Sequence, residues 1–218
     1  MPDPLPTAVP TTVPGATRPV RLGIHGSPHL ATRVLASAGH GPHEVELVPY
    51  DVAEPFRPLR DRTLDIMIVK YGLREPDIAF SRPVAFDHRA LIVGTNHPLA
   101  DRDMVSVEEA AGYDCFGCPG DFPPYVWDKV VPPRTPSGTR MRRVHRMTTV
   151  EAMIDTLAAG RAVHLSFQSL DAILPPHIKA LPVRDLPPAP VHLAWLRDTD
   201  LSSQAAALVS DAERSAGR

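Results

Sequence analysis

The chain has 218 residues, 43% apolar and 22% charged, with a formal net charge of −2. That balance is ordinary for a globular protein; it excludes a disordered polyelectrolyte and provides no global electrostatic drive towards nucleic acid. Two cysteines in a single C-F-G-C make no disulfide framework, and no run approaches the roughly 20 apolar residues of a membrane helix.

Residues 1–18, rich in proline and threonine, read as a disordered tail without the charged and apolar regions of a signal peptide, so a cytoplasmic location is expected. Val20–His25 alternates as a strand, and Gly26-Ser27-Pro28 breaks it. His29–Gly39 has helical spacing at Leu30, Val34 and Leu35 and stops at a glycine. Glu44–Tyr50 alternates again. Glu54–Arg62 reads as a short helix despite Pro55 and Pro58, and Leu64–Tyr71 is the most apolar strand, fit for the centre of a parallel sheet. This β-α-β-α-β opening implies a covered, mostly parallel sheet.

The pattern then changes. Asp77–Val84 and His88–Thr95 read as strands with no helix between them. Ser106–Ala111 is a short helix capped by Ser106, Tyr113–Phe116 a strand, Gly117–Pro124 a loop, Tyr125–Val130 a helix and Arg140–His145 a strand. Thr148–Phe167 is the most informative stretch. Val150, Met153, Ile154, Leu157 and Ala158 form one helical face, with Thr148 or Thr149 as cap and Glu151 placed for a capping box. Gly160 is expected to leave the helix with positive φ, and Ala162–Phe167 follows as a buried strand. Ile178–Val183 and Val191–Leu196 are strands. Ser202–Ser215 is a closing helix with Ala206, Leu208 and Val209 inward. These elements imply two α/β lobes, 19–94 plus 166–218 as lobe I and 95–165 as lobe II, joined by two hinge crossovers with a ligand cleft between them.

At this point the chain resembles the effector-binding domain of LysR-type transcriptional regulators, a type II periplasmic-binding-protein-like fold. The resemblance rests on V-R-L-G-I-H-G-S (20–27), V-E-L (45–47), L-D-I-M-I-V (64–69), N-H-P-L-A (96–100), T-V-E-A-M-I-D-T-L-A-A-G-R-A-V-H-L (149–165) and V-H-L-A-W-L-R-D-T-D-L-S (191–202). The family carries a winged helix-turn-helix and linker helix ahead of this domain; the proline-rich start supplies no recognition helix, so no direct DNA binding is expected. The resemblance implies as partners a small organic acid and, through the first lobe, a homodimer or a heterodimer with a full-length LysR-type regulator.

By the same resemblance the ligand meets strand ends and helix starts that face the hinge. On this chain those residues are His25, Ser27, Val52, Lys70, Tyr71, Cys118, Thr148, Thr149 and Ser166. The hydroxyls of Ser27 and Thr149 can bind a carboxylate beside free helix N–H groups, or simply cap. Lys70 can pair with an anion, or snorkel to water. His25, Asp51, Lys70 and His164 also allow general acid–base chemistry, as in a lyase, isomerase or hydrolase, provided that they converge within hydrogen-bond reach around one void. The alternative is that each bonds to backbone or ligand without chemistry. Cys115 and Cys118 read as structural or incidental, because a redox pair needs a helix start and a zinc site two more ligands. With no phosphate loop, nucleophile elbow or metal cluster in the sequence, no cofactor or metal is expected.

Overall fold

The computed structural model describes residues 18–217. The proline-rich tail lies outside them except for Arg18, whose guanidinium reaches Asp65 at 2.9 Å. Two larger sheets carry the fold, with a third of two strands beside them. The first begins with strand β1 (Val20–Ile24), helix α1 (His29–Ala38), strand β2 (Val45–Pro49), helix α2 (Arg57–Arg60) and strand β3 (Ile66–Lys70). β2 and β3 flank β1 in parallel, the geometry expected of the opening pattern. Helix α1 ends where Gly39 adopts φ 80°, a left-handed position that a side chain would strain. The expected helix over Glu54–Arg62 shrinks to Arg57–Arg60, since the prolines at 55 and 58 leave no donors for a longer turn.

Strand β4 (Ile78–Phe80) and strand β5 (Ala85–Asp87) replace the single strand expected over Asp77–Val84. Pro83 sits in the gap and cannot join a ladder. Strand β6 (Arg89–Gly94) opens the second sheet. Helix α3 (Val107–Ala110) follows, with Ser106 and Glu109 in a reciprocal capping box. Strand β7 (Asp114–Phe116), helix α4 (Pro124–Val130), strand β8 (Arg142–His145), helix α5 (Val150–Ala159) and strand β9 (His164–Phe167) complete the lobe up to a short 3-10 turn, Gln168–Ile173. Strand β10 (Ile178–Pro182) returns to pair with β6, which thus lies between β10 and β9. Strand β11 (Ala189–Leu196) re-enters the first sheet antiparallel to β3, and helix α6 (Ser203–Ala216) packs beside α1.

The sheet membership corrects the expected lobe boundaries. Residues 89–94 and 178–182, assigned from sequence to lobe I, form the middle and edge of the second sheet. The chain therefore crosses between sheets at 87–89 and again at 183–189. Strand pairing is a long-range property, and local alternation alone does not say which sheet a strand joins.

Three smaller expectations are also corrected. Gly160 leaves α5 in extended backbone (φ −144°, ψ −157°), because the chain runs almost directly into β9. In α5 the buried face narrows to Met153 and Leu157, and Ala158 is exposed. In α6 Ala205, not Ala206, turns inward with Leu208, Val209 and Ala212. Helix α5 lies close against β6 at Gly94, where a Cβ would stand 2.6 Å from the Leu157 carbonyl oxygen. Apolar side chains fill both faces of the first sheet and, separately, the interior of the second. No helix among the described residues is long and apolar enough to cross a membrane.

Candidate functional site

A cavity of about 440 Å³ lies between the lobes, within the range of small-ligand sites. Its polar groups come from the ends of β1, β2 and β3, the start of α5, and β9. Its apolar wall includes Phe56, Phe122, Trp127, Met153 and Phe167. The 3-10 turn, unforeseen in the sequence, adds Leu170 and Ile173.

Of the residues singled out from sequence, His25, Ser27, Asp51, Val52, Lys70, Thr148, Thr149, His164 and Ser166 all line this cavity. Two do not. Tyr71 takes a left-handed backbone (φ 67°) just after β3 and is buried at the crossover. There its hydroxyl donates to the Lys129 carbonyl (3.2 Å) and accepts from Arg89 Nη1 (3.0 Å). Cys118 is exposed, and its thiol donates to the Phe122 carbonyl. Its neighbour Pro119, with Phe122, carries that loop onto the cavity wall. Further along the loop, the Asp121 amide donates to the Ala53 carbonyl at 2.7 Å, which ties the loop to the first lobe. Gly120 makes this approach possible with φ 41°, as a Cβ there would meet the Ala53 oxygen at 2.7 Å. Cys115 is buried in β7, and burial pushes its thiol up to about 11.

Two helix starts face the cavity. Thr149 is the cap of α5, its Oγ1 accepting from the Ala152 amide at 3.1 Å. At α1, Ser27 is buried and its Oγ accepts from the His29 amide at 3.1 Å. Thr149 thus caps α5, while Ser27 holds the first amide of α1, whose cap position is Pro28; each hydroxyl keeps its own proton to donate.

Lys70 is not free. Its Nζ pairs with the buried Asp87 carboxylate at 3.1 Å and lies 4.1 Å from the centroid of the Phe167 ring. Burial pulls its pKa below the usual lysine range, with the Asp87 charge opposing. Arg89 approaches Phe167 from 5.0 Å and donates to the carbonyls of Lys129 (3.0 Å), Val130 and Ser166 (3.2 Å). Two cations and one carboxylate are thus buried together at the crossover, leaving a surplus positive charge behind the cavity floor.

The histidines differ. His25 is open to the cavity solvent yet flanked by protein; its Nδ1 lies 3.4 Å from the Tyr50 carbonyl. Desolvation lowers its pKa, and the Lys70 charge adds to the effect. His164 is fully enclosed; burial first, then the His25 and Arg89 charges, lower its pKa to about 3, so it is neutral. Trp127 lies in α4, on the cavity wall. The structure stacks it on His164, ring centroids 6.2 Å apart, and nothing in its local sequence foretold that pairing.

A family model for the LysR substrate binding domain matches residues 16–215. Among solved structures, the effector-binding domain of QuiR in complex with shikimate is similar at 17% identity, over 93% of this chain and 98% of that one, with a TM-score of 0.68. Full-length CbnR complexed with its target DNA is similar at 18% identity over 91% of this chain and 71% of that one, TM-score 0.69. The BenM effector-binding domain with its effector benzoate is similar at 16% identity, covering 89% and 90%, TM-score 0.62. At these identities the likeness shows the fold. No curated protein matches the chain in sequence.

Proposed function

Because the chain belongs to the LysR substrate-binding domain family, we propose that it is an effector-binding unit that holds a small organic acid in the inter-lobe cavity. The observation that carries this reading is the combination in one cavity of an apolar wall, two helix starts and buried positive charge behind the floor. A carboxylate there meets unpaired helix N–H groups and the Lys70 ammonium, while its apolar body rests on Phe56, Phe122 and Trp127. The neighbours give the class its scale, since QuiR holds shikimate and BenM holds benzoate.

The described residues are spent on the two lobes, and no helix-turn-helix stands among them. In this reading the protein senses or sequesters its ligand in the cytoplasm and acts on transcription by pairing, as a homodimer or with a full-length regulator. Acid–base chemistry by His25, Asp51, Lys70 and His164 is the weaker reading. The four share the cavity, but no hydrogen bond joins any two of them. Asp51 accepts from the Ala53 amide (2.8 Å), Lys70 is held by Asp87, and His25 lies against the Tyr50 carbonyl.

The test is a thermal-shift screen of the full chain against small cyclic and open-chain acids, shikimate and benzoate among them. At least one acid raises the melting temperature in proportion to its occupancy, and Lys70→Met abolishes the rise. A screen in which no acid shifts the protein, or in which Lys70→Met responds as the parent does, refutes the reading.

A further inference from the structure

Buried polar atoms in a folded interior have partners, or a reason to lack them. Two side chains on the cavity wall have none. His164 is 5% exposed and Trp127 4%. Trp127 Nε1 and His164 Nδ1 are buried without a hydrogen bond, and no bond engages His164 Nε2 among the described residues. The two rings pack among other aromatic rings. Trp127 lies stacked on His164 at an interplanar angle of 23°, Phe122 packs edge-on to Trp127 (6.0 Å), and Phe116 packs edge-on to His164 (5.5 Å). Both residues line the cavity with these polar atoms unspent, and a ligand that bonds to them must draw the rings slightly towards itself.

Building on the cleft function above, we propose that the Trp127–His164 pair reads an uncharged oxygen on the ligand. The effector is then a cyclic acid bearing a hydroxyl or carbonyl on the side of its ring away from the carboxylate. The indole N–H can only donate. A neutral imidazole has one donor and one acceptor nitrogen. A hydroxyl satisfies both rings by accepting from the indole and donating to the imidazole; a carbonyl accepts from both. The two ends of the ligand are set apart along β9. Lys70 Nζ lies over Phe167, three residues beyond His164, or about 10 Å along an extended strand. A second carboxylate at the inner end would find only a neutral imidazole there, since burial opposes its protonation.

The experiment titrates the full chain calorimetrically with benzoate, 4-hydroxybenzoate and 4-formylbenzoate, in the parent, Trp127→Phe and His164→Leu. At least one oxygenated acid binds the parent about tenfold or more tightly than benzoate. In both variants that ratio falls below about threefold. A preference for the hydroxyl identifies the donor–acceptor arrangement, and a preference for the formyl group the double-donor one. Without ligand, His164→Leu melts above the parent at pH 8, because it removes an unpaired buried polar group and keeps the volume. Equal binding of the three acids by the parent, or a ratio unchanged in both variants, overturns the proposal. So does a lower melting temperature for His164→Leu, which would mean that the imidazole is satisfied within the fold. If no acid binds at all, the cleft function fails, and the melting temperature still decides for or against an unspent imidazole.

Discussion

Arg89→Met should be the most damaging single substitution at the crossover. The guanidinium is buried at the start of β6 and donates to four acceptors: the Tyr71 hydroxyl and the carbonyls of Lys129, Val130 and Ser166. Two of these carbonyls end helix α4, where a cation also offsets the negative end of the helix. Methionine fills similar volume and donates nothing. Tyr71 still donates to Lys129, so the Val130 and Ser166 carbonyls lose this donor. Each uncompensated group costs about 1–3 kcal/mol, and relief of the guanidinium's own desolvation returns part of it. The net loss is about 3 kcal/mol, or a fall of about 6–12 °C in melting temperature for a chain of this size. Arg89→Lys recovers less than half, because one ammonium cannot reproduce the planar fork. Urea denaturation monitored by circular dichroism measures the loss; a change below about 1 kcal/mol would show that the fork is not what holds α4 to β6 and β9.

Thr149→Ala costs about 1 kcal/mol through loss of the α5 cap and weakens acid binding, whereas Thr149→Ser restores both; paired melting and titration experiments check this. Gly120→Val forces a Cβ onto the Ala53 carbonyl and breaks the Asp121–Ala53 contact that ties the loop to the first lobe, so ligand dissociation in stopped flow should accelerate while the secondary structure stays intact. His164 sets a pH dependence of known sign. Its folded pKa of about 3 lies below the unfolded value of 6.5, so both states are neutral and the stability is complete above pH 6.5. As pH falls, the unfolded chain takes a proton that the folded one refuses, and stability drops by up to about 1.4 kcal/mol per pH unit down to the folded pKa. His164→Leu should lack that slope, as urea midpoints of the two proteins at pH 7, 5.5 and 4.5 will reveal.

Local structure was legible where local physics decides it. Gly39 ends α1 and Ser106 caps α3 because one residue's φ or one hydroxyl settles the matter. Nine of the residues singled out for the site reach the cavity, since strand ends and helix starts follow from periodicity and the resemblance places them at the hinge. What escaped was long-range. Tyr71 and Cys118 sit beside cavity residues in the chain, but a left-handed turn buries one against Arg89, and the other is exposed with its thiol on the Phe122 carbonyl. Lys70 looked like a cation in search of an anion. Its partner Asp87 ends β5, in the short gap that the sequence reading left between two expected strands. The stacking of Trp127 on His164 joins a helix to a strand 37 positions later, and no pattern within either segment encodes it.

The most direct measurement is a crystal structure of the chain grown with the tightest-binding acid from the screen. One ligand is expected in the inter-lobe cavity, its carboxylate between Lys70 and the start of α5 and its ring against Trp127. A ligand seated outside that cavity, or one whose carboxylate faces solvent with no contact to Lys70, Ser27 or Thr149, would contradict that placement.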